Sequence, residues 1–276
     1  MKANVSSIRD LNRSEKINIA VIGGSGLEEL FIGSEKVNVG TPYGFSHTLS
    51  ICEVQGKRVA FLPRHGYKHD VPPHRINYRA NIYALYRLGV ERIIATNAVG
   101  AINLNFKPGD LVVPHDLIDF TRQRHLTFFD QPPVTHIDFT EPYCPEIRRV
   151  LIEKSKSLGT VHDRAVYVCT EGPRFETPAE IQMFRTLGCD IVGMTGMPEA
   201  ALARELGICY ATLCFVSNMA AGISGKLTYD EVSETSKIVM PRVRKVIMEA
   251  VVSLPEVRSC QCALSAKLGR AKGQNT

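Results

Sequence analysis

The chain has 276 residues, 44% apolar and 22% charged, with a net charge of +5. That is the composition of an ordinary soluble globular protein, long enough for one large domain and too evenly charged for a nucleic-acid-binding tail or a disordered chain. No window approaches the roughly 18 uninterrupted apolar residues of a membrane helix. The polar first 16 residues lack the apolar centre of a secretory signal, so a cytoplasmic protein is expected.

In chain order, residues 17–22 read as a buried strand running into Gly23, Gly24, Ser25 and Gly26. Glycines there bring backbone amides close to a ligand, and a serine hydroxyl suits an oxyanion. A dinucleotide turn would need glycine or alanine where Glu29 stands, and no Gly-Lys-Ser/Thr follows, so a phosphate cradle is favoured over a Rossmann or Walker loop. Residues 50–53 and 58–62 form two strands about the Gln55-Gly56-Lys57 turn, the second ending in Arg64 and His65, a planar fork beside an imidazole suited to an anion. His65 and His69 are four apart, but Gly66 between them argues against a helix and no carboxylate set completes a metal site; none is expected. A helix is expected over 75–88, closed by Gly89, then a strand over 92–96 whose end carries Asn97 and Ala98.

Residues 115–145 show no long periodic segment, and a loop of that length is expected to cover a site or a subunit interface. A helix follows over 145–158, then a strand over 165–169 that breaks at Gly172 and Pro173 and displays Arg174, Phe175 and Glu176. Thr177, Pro178 and Glu180 spell an N-cap, a first-turn proline and a capping box for a helix to Leu187. A strand over 190–194 leads to a second loaded turn at Thr195, and a helix is expected over 198–206. The strand over 208–216 ends at Ser217 and Asn218, and Thr228 caps a last helix to about Leu254, interrupted at Pro241. Six to eight strands in mostly strand–helix order give an α/β fold whose strand ends converge on one site. Residues 1–16 form an N-terminal extension, 17–256 a single domain and 257–276 a tail holding Cys260 and Cys262. Most of the eight cysteines lie in apolar runs; only Cys260 and Cys262 are a close pair, a weak zinc signal and a conceivable disulfide.

These strand ends supply hydroxyls, amides, an arginine and an aromatic face, with no hydrolase triad spacing and no cysteine nucleophile, so the nucleophile is expected to be a bound substrate. With Gly23–Gly26, the run 61–66, the run 73–79, Asn97–Gly100, the run 171–175 and the run 193–199, the sequence resembles the purine nucleoside phosphorylase / 5′-methylthioadenosine phosphorylase family over about residues 17–254. The resemblance implies a single α/β domain around a mixed, partly barrel-like sheet, trimers or dimers of trimers, and cleavage of the N-glycosidic bond by inorganic phosphate, a co-substrate, with no cofactor. It implies phosphate binding by Ser25, Arg64, His65, Asn97, Ala98 and Thr195, with Asn97 standing where threonine is common. It also implies Phe175 against the base, Met194 beneath the ribose, and His136 reaching a neighbouring subunit's sugar.

Methylthioadenosine enzymes carry an Asp-Tyr-Asp run where this chain has Asn218, Met219 and Ala220. Here Glu176 and Asn218 are the pairing of 6-oxopurine enzymes: a carboxylate accepts from N1–H and an amide donates to O6 or N7, whereas adenine has no proton on N1. Glu176, Asn218 and His65 are therefore the expected catalytic groups. Leu227 falls where the methylthioadenosine branch has an apolar residue facing the 5′ group, which leaves 5′-methylthioinosine beside inosine and guanosine. Methylthioadenosine phosphorolysis is the alternative, and a non-catalytic nucleoside-binding protein the reading from another class.

Overall fold

One long strand organises the molecule. In a computed structural model describing residues 17–24, 26, 27, 34–225 and 228–265, β7 (Arg92–Ala101) serves two branches of one sheet. The other strands are β1 (Ile19–Gly23), β2 (Glu35–Val37), β3 (Gly40–Thr41), β4 (Gly44–Phe45), β5 (Leu49–Val54), β6 (Lys57–Pro63), β8 (Leu111–Val112), β9 (Asp116–Phe120), β10 (Val161–His162), β11 (Val166–Thr170), β12 (Ile191–Gly193) and β13 (Cys209–Met219). The helices are α1 (Tyr78–Arg87), α2 (Pro145–Lys156), α3 (Pro178–Thr186), α4 (Glu199–Glu205) and α5 (Tyr229–Ser253). The expected extension over 1–16, Ser25, Leu227 and the tail beyond 265 lie outside the described residues.

Eleven strands share one mixed sheet in the order β10-β8-β13-β7-β1-β6-β5-β2, with β12, β11 and β9 branching from β7. The first half of β7 runs parallel to β1, with Ile93 opposite Ala20. Its last residues pair antiparallel with β12, Gly100 opposite Val192. β13 runs parallel to β7 along its whole length. The expected mixed sheet is thus a fork, and among the described residues its strands do not close into a barrel. β1 is buried on every residue, as a strand covered on both faces must be, which explains its unbroken apolar run.

Several elements differ from expectation for local reasons. α1 starts at Tyr78 rather than at residue 75, because the Asn77 side chain accepts from the Ala80 N–H and caps the helix there. The segment 115–145 contains β9, a five-residue strand parallel to β11 that carries no fully buried residue and so no strong apolar signal. The ends of β7 and β13 extend through Asn97 and Asn218, which lie in strands rather than in turns. Pro241 sits inside a continuous α5.

The capping box of α3 is formed as expected: Thr177 accepts from the Glu180 N–H and Glu180 accepts from the Thr177 N–H. Ile181 and Phe184, three apart on one face, pack into a small core with Val168, Val192 and Ala220. Burying two such side chains contributes roughly 1.5–3 kcal/mol each and fixes the turn before the helix against the branched sheet. Among the described residues no helix is long and apolar enough to cross a membrane.

Candidate active site

The C-terminal ends of β1, β6, β7, β12 and β13 surround a cavity of about 740 Å³, closed on one side by the first four turns of α5. Arg64, His65, Asn97, Ala98, Phe175, Glu176, Met194, Thr195, Asn218 and Ala220 all line it. Ten of the residues expected from the sequence therefore meet in one place. His136 is exposed on the long loop and does not line this cavity.

One end carries a buried guanidinium. Arg64 follows β6 directly and is 1% exposed. Its Nε and Nη2 donate to the two Glu199 carboxylate oxygens at 2.6 and 2.9 Å, and its Nη1 donates to the Thr96 carbonyl at 2.8 Å. A guanidinium has five N–H groups, so the second N–H of each terminal nitrogen is left for a ligand. Tyr210 Oη donates to the same Glu199 at 2.9 Å. Glu199 opens α4 and belongs to a motif already noted, yet its role as the holder of Arg64 was not legible, because the pair spans 135 positions.

His65 Nδ1 lies 2.8 Å from the Val71 carbonyl, so it must carry the proton there and leave Nε2 as an acceptor. Burial, helped by the neighbouring Arg64 charge, pulls its pKa down to about 4 against the opposing Val71 bond. The ring is neutral at pH 7 and can accept from the hydroxyl of a protonated oxyanion.

Asn97 and Thr195 are joined by a fixed relay. Thr212 Oγ1 donates to the Ala95 carbonyl at 3.3 Å and accepts from Asn97 Nδ2 at 2.7 Å. That orientation turns Asn97 Oδ1 toward Thr195, whose hydroxyl donates to it at 2.7 Å. The Asn97 side chain thus positions Thr195 rather than reaching a ligand, and Thr195 presents lone pairs unless its hydroxyl turns.

The loaded turn 193–196 wraps around Tyr167. The Tyr167 hydroxyl accepts from the Gly196 N–H at 3.2 Å and the Thr195 N–H at 3.4 Å. A Cβ on Gly196 would lie 2.1 Å from Tyr167 Cε1, so only glycine lets the chain pass this ring. Against the same turn, Gly172 has φ +65° and a Cβ there would meet Met194 Sδ at 2.6 Å, so the Gly172 backbone packs directly on Met194.

The opposite end carries the flat and polar groups. Phe175 is 40% exposed, a free aromatic face on the cavity. Thr170 Oγ1 donates to Glu176 Oε1 at 2.6 Å, and burial raises the Glu176 pKa above the ordinary carboxyl value against that bond. Asn218 follows a β-bulge, a register shift between Val216 and Asn218 that re-aims the side chain. Its Nδ2 donates to the Met219 carbonyl at 2.8 Å, which can only accept, so the amide orientation is settled and one N–H remains. Ser217 Oγ donates to Asn218 Oδ1 at 2.7 Å.

Arg174 lies outside the cavity in an exposed fork with Glu180, at 2.8 and 2.7 Å. The α5 wall was missed from sequence; Lys237, Pro241 and Arg244 are spaced i, i+4 and i+7, one helix face, and Arg244 Nε donates to the Gly26 carbonyl at 2.6 Å. Arg64, Lys237 and Arg244 make one side of the cavity cationic.

The Phosphorylase superfamily profile matches residues 18–252, the whole sheet and its helices. The chain belongs to the phosphorylase superfamily. Within this superfamily the chain is 52% identical over 254 residues to a "6-oxopurine nucleoside phosphorylase" of Pyrococcus furiosus, covering 88% of this chain and 96% of the relative. It is 54% identical over 248 residues to a "Probable S-methyl-5′-thioinosine phosphorylase" of Methanothermobacter thermautotrophicus, covering 88% of this chain and 87% of the relative. A solved phosphorylase structure, a methylthioadenosine phosphorylase sourced from an antarctic soil metagenomic library, is similar with a TM-score of 0.88 and 37% identity, covering 94% of each chain.

Proposed function

We propose that the protein is a pentosyltransferase that cleaves purine nucleosides with inorganic phosphate, releasing the free base and a ribose 1-phosphate, with preference for 6-oxopurines. The reading rests above all on Glu176 and Asn218 lining the same cavity. A carboxylate fixed by Thr170 accepts from N1–H of hypoxanthine or guanine, and the remaining Asn218 N–H donates to O6 or N7. Adenine would turn a lone pair toward the carboxylate, and a site built for a hydrogen bond rejects a ligand that cannot make it.

Phosphate enters as co-substrate at the cationic end. The second N–H groups of Arg64, the Ala98 region of β7 and a turned Thr195 hydroxyl hold it, with Ser25 as a further ligand by family resemblance. Neutral His65 accepts a phosphate hydroxyl. The C–N bond breaks through an oxocarbenium-like state: phosphate stabilises the sugar cation from one face, and Asn218 stabilises the charge that develops on the departing purine. Met194 supports the ribose and Phe175 packs on the base. No cofactor has a part in this scheme.

The 6-oxopurine names of close relatives support the base preference, and the methylthioinosine name of another keeps a 5′-methylthio group in play. Methylthioadenosine phosphorolysis is the second reading, favoured by the structural neighbour. A role in purine salvage in the cytoplasm fits either substrate. A homotrimer or dimer of trimers fits the placement of His136, exposed and away from its own chain's cavity. The deciding experiment mixes the protein with inosine, guanosine, adenosine, methylthioinosine and methylthioadenosine, with and without phosphate, and follows free base by chromatography. Phosphate-dependent release of hypoxanthine or guanine is expected. Faster adenine release would reverse the base assignment, and binding without turnover would mark a nucleoside-binding protein.

A further inference from the structure

Far from the cavity, the fold gathers four cysteines from three distant parts of the chain. Cys144 is the N-cap of α2, Cys209 opens β13, and Cys260 and Cys262 flank Gln261 beyond α5. Their sulfurs all lie within 4.8 Å of one another. Cys144, Cys209 and Cys262 are buried and Cys260 is half-buried. The cluster stands at the N-terminal edge of the sheet, at the opposite end of β13 from Asn218.

This is not the usual packing of a cysteine used as a small hydrophobe. Cys169, Cys189 and Cys214 are each buried and, among the described residues, belong to no such group, whereas the four clustered sulfurs lie together. The Sγ atoms of Cys209 and Cys260 are 3.2 Å apart, beyond the roughly 2.0 Å of a sulfur–sulfur bond. In a tetrahedral cage with metal–sulfur distances of about 2.3 Å, the sulfurs stand about 3.8 Å from one another. The clustered sulfurs, 3.2 Å apart at Cys209 and Cys260 and all within 4.8 Å of one another, bracket that spacing.

Its surroundings also fit. The Arg258 guanidinium lies against the Cys209 and Cys260 sulfurs and is held by the Gly207 carbonyl at 2.9 Å and by Glu91 at 3.4 Å. Arg204, near Cys262, is fixed by Ser265 Oγ at 3.3 Å and by the Glu141 carbonyl. Four thiolates around a divalent cation carry a net charge of about −2, and two positioned guanidiniums balance it from outside the ligand set.

We propose that Cys144, Cys209, Cys260 and Cys262 form a structural site for a soft divalent cation, zinc by the chemistry of four sulfur ligands. Binding exchanges four thiol protons for one cation: four protons are released and four metal–sulfur bonds form, with no change of oxidation state. Four protein ligands leave no open position, so the site staples the segment after α5 to β13 and α2 and takes no part in catalysis. The sequence carried only the Cys260 and Cys262 pair as a signal, because the other two ligands lie 51 and more positions away.

The test combines metal analysis with thiol counting on the full-length protein. Mass-spectrometric metal analysis is expected to find one zinc per chain, and all eight cysteines to titrate as free thiols after denaturation with a chelator. A mercurial that caps the thiols should release that zinc in step. The double variant C260S/C262S should hold no zinc while keeping phosphorolysis. Should that variant fail to fold, wild-type protein stripped of metal and reduced is titrated with cobalt(II), where a thiolate-to-cobalt charge-transfer band at one equivalent is expected. Four thiols missing from the count with no metal bound would mean two disulfides and would overturn the proposal. So would eight free thiols with neither native zinc nor cobalt uptake.

Discussion

At the scale of single residues, the proposed function separates groups that touch a ligand from groups that aim them. Residue type at strand ends was legible, because Arg, Asn, Thr and Glu just past apolar runs have few structural reasons to be there. Their partners were not: Thr195 meets Asn97 across 98 positions and Arg64 meets Glu199 across 135, and no local pattern encodes such a contact. Asn218→Asp tests the base reader. It removes the donor proposed to reach O6 or N7 and sets a carboxylate against the Met219 carbonyl, so kcat/KM for inosine is expected to fall roughly 10- to 100-fold while adenosine gains relative to it. An unchanged preference in side-by-side assays would show that another residue reads the base. His65 allows a pH prediction. Its folded pKa of about 4 lies below the ordinary 6.5, so between those values the unfolded chain binds the extra proton. The stability from burying a neutral His65 is complete above about pH 6.5 and is lost as pH falls toward 4. Urea midpoints for wild type and His65→Gln across that window should converge toward acid; parallel curves would place the titration elsewhere.

At the scale of elements, local codes were readable and tertiary ones were not. Thr177, Pro178 and Glu180 announced α3 because a capping box is complete within four residues. β9 went unseen because a short, half-buried strand on one branch of the fork has no apolar alternation to display. The bulge at Ser217 was equally hidden, since a register shift exists only between two strands. The turn 193–196 shows how an element can carry the site indirectly: its shape is set by the Tyr167 ring beneath it, and Thr195 sits at its crest. Gly196→Ala would force a Cβ against a fully buried ring. Overpacking of this kind costs typically about 1–3 kcal/mol, and here the turn is the part free to move. A lowered melting temperature is expected together with a raised KM for phosphate larger than any rise in KM for nucleoside. Equal rises would show that the turn does not belong to the phosphate end.

At the scale of the whole molecule, two buried arginine–glutamate pairs stand at opposite ends of the parallel strands. Arg64 and Glu199 lie at the C-terminal edge, where the cavity is. Arg92 and Glu146 lie at the N-terminal edge: Arg92 Nε and Nη2 donate to Glu146 Oε1 at 3.2 and 3.0 Å, and Ser259 N–H and Oγ donate to Oε2 at 2.9 and 2.8 Å. That second pair joins the start of β7, the first turn of α2 and the segment after α5, and the last two of these are also gathered by the cysteine cluster. Both pairs are almost wholly buried, so weakening either leaves an arginine charge poorly compensated, at a cost of up to about 3–5 kcal/mol. Their functional consequences should differ. Glu199→Gln loosens the guanidinium that faces the cavity and should lower both stability and phosphate affinity. Glu146→Gln should lower stability by a similar amount while kcat and both KM values stay at wild-type levels below the melting transition. Denaturant titration alongside steady-state kinetics at varied phosphate reads both. A phosphate KM that rises equally in the two variants would mean that the sheet transmits strain from one edge to the other, and that the division of labour between its ends does not hold.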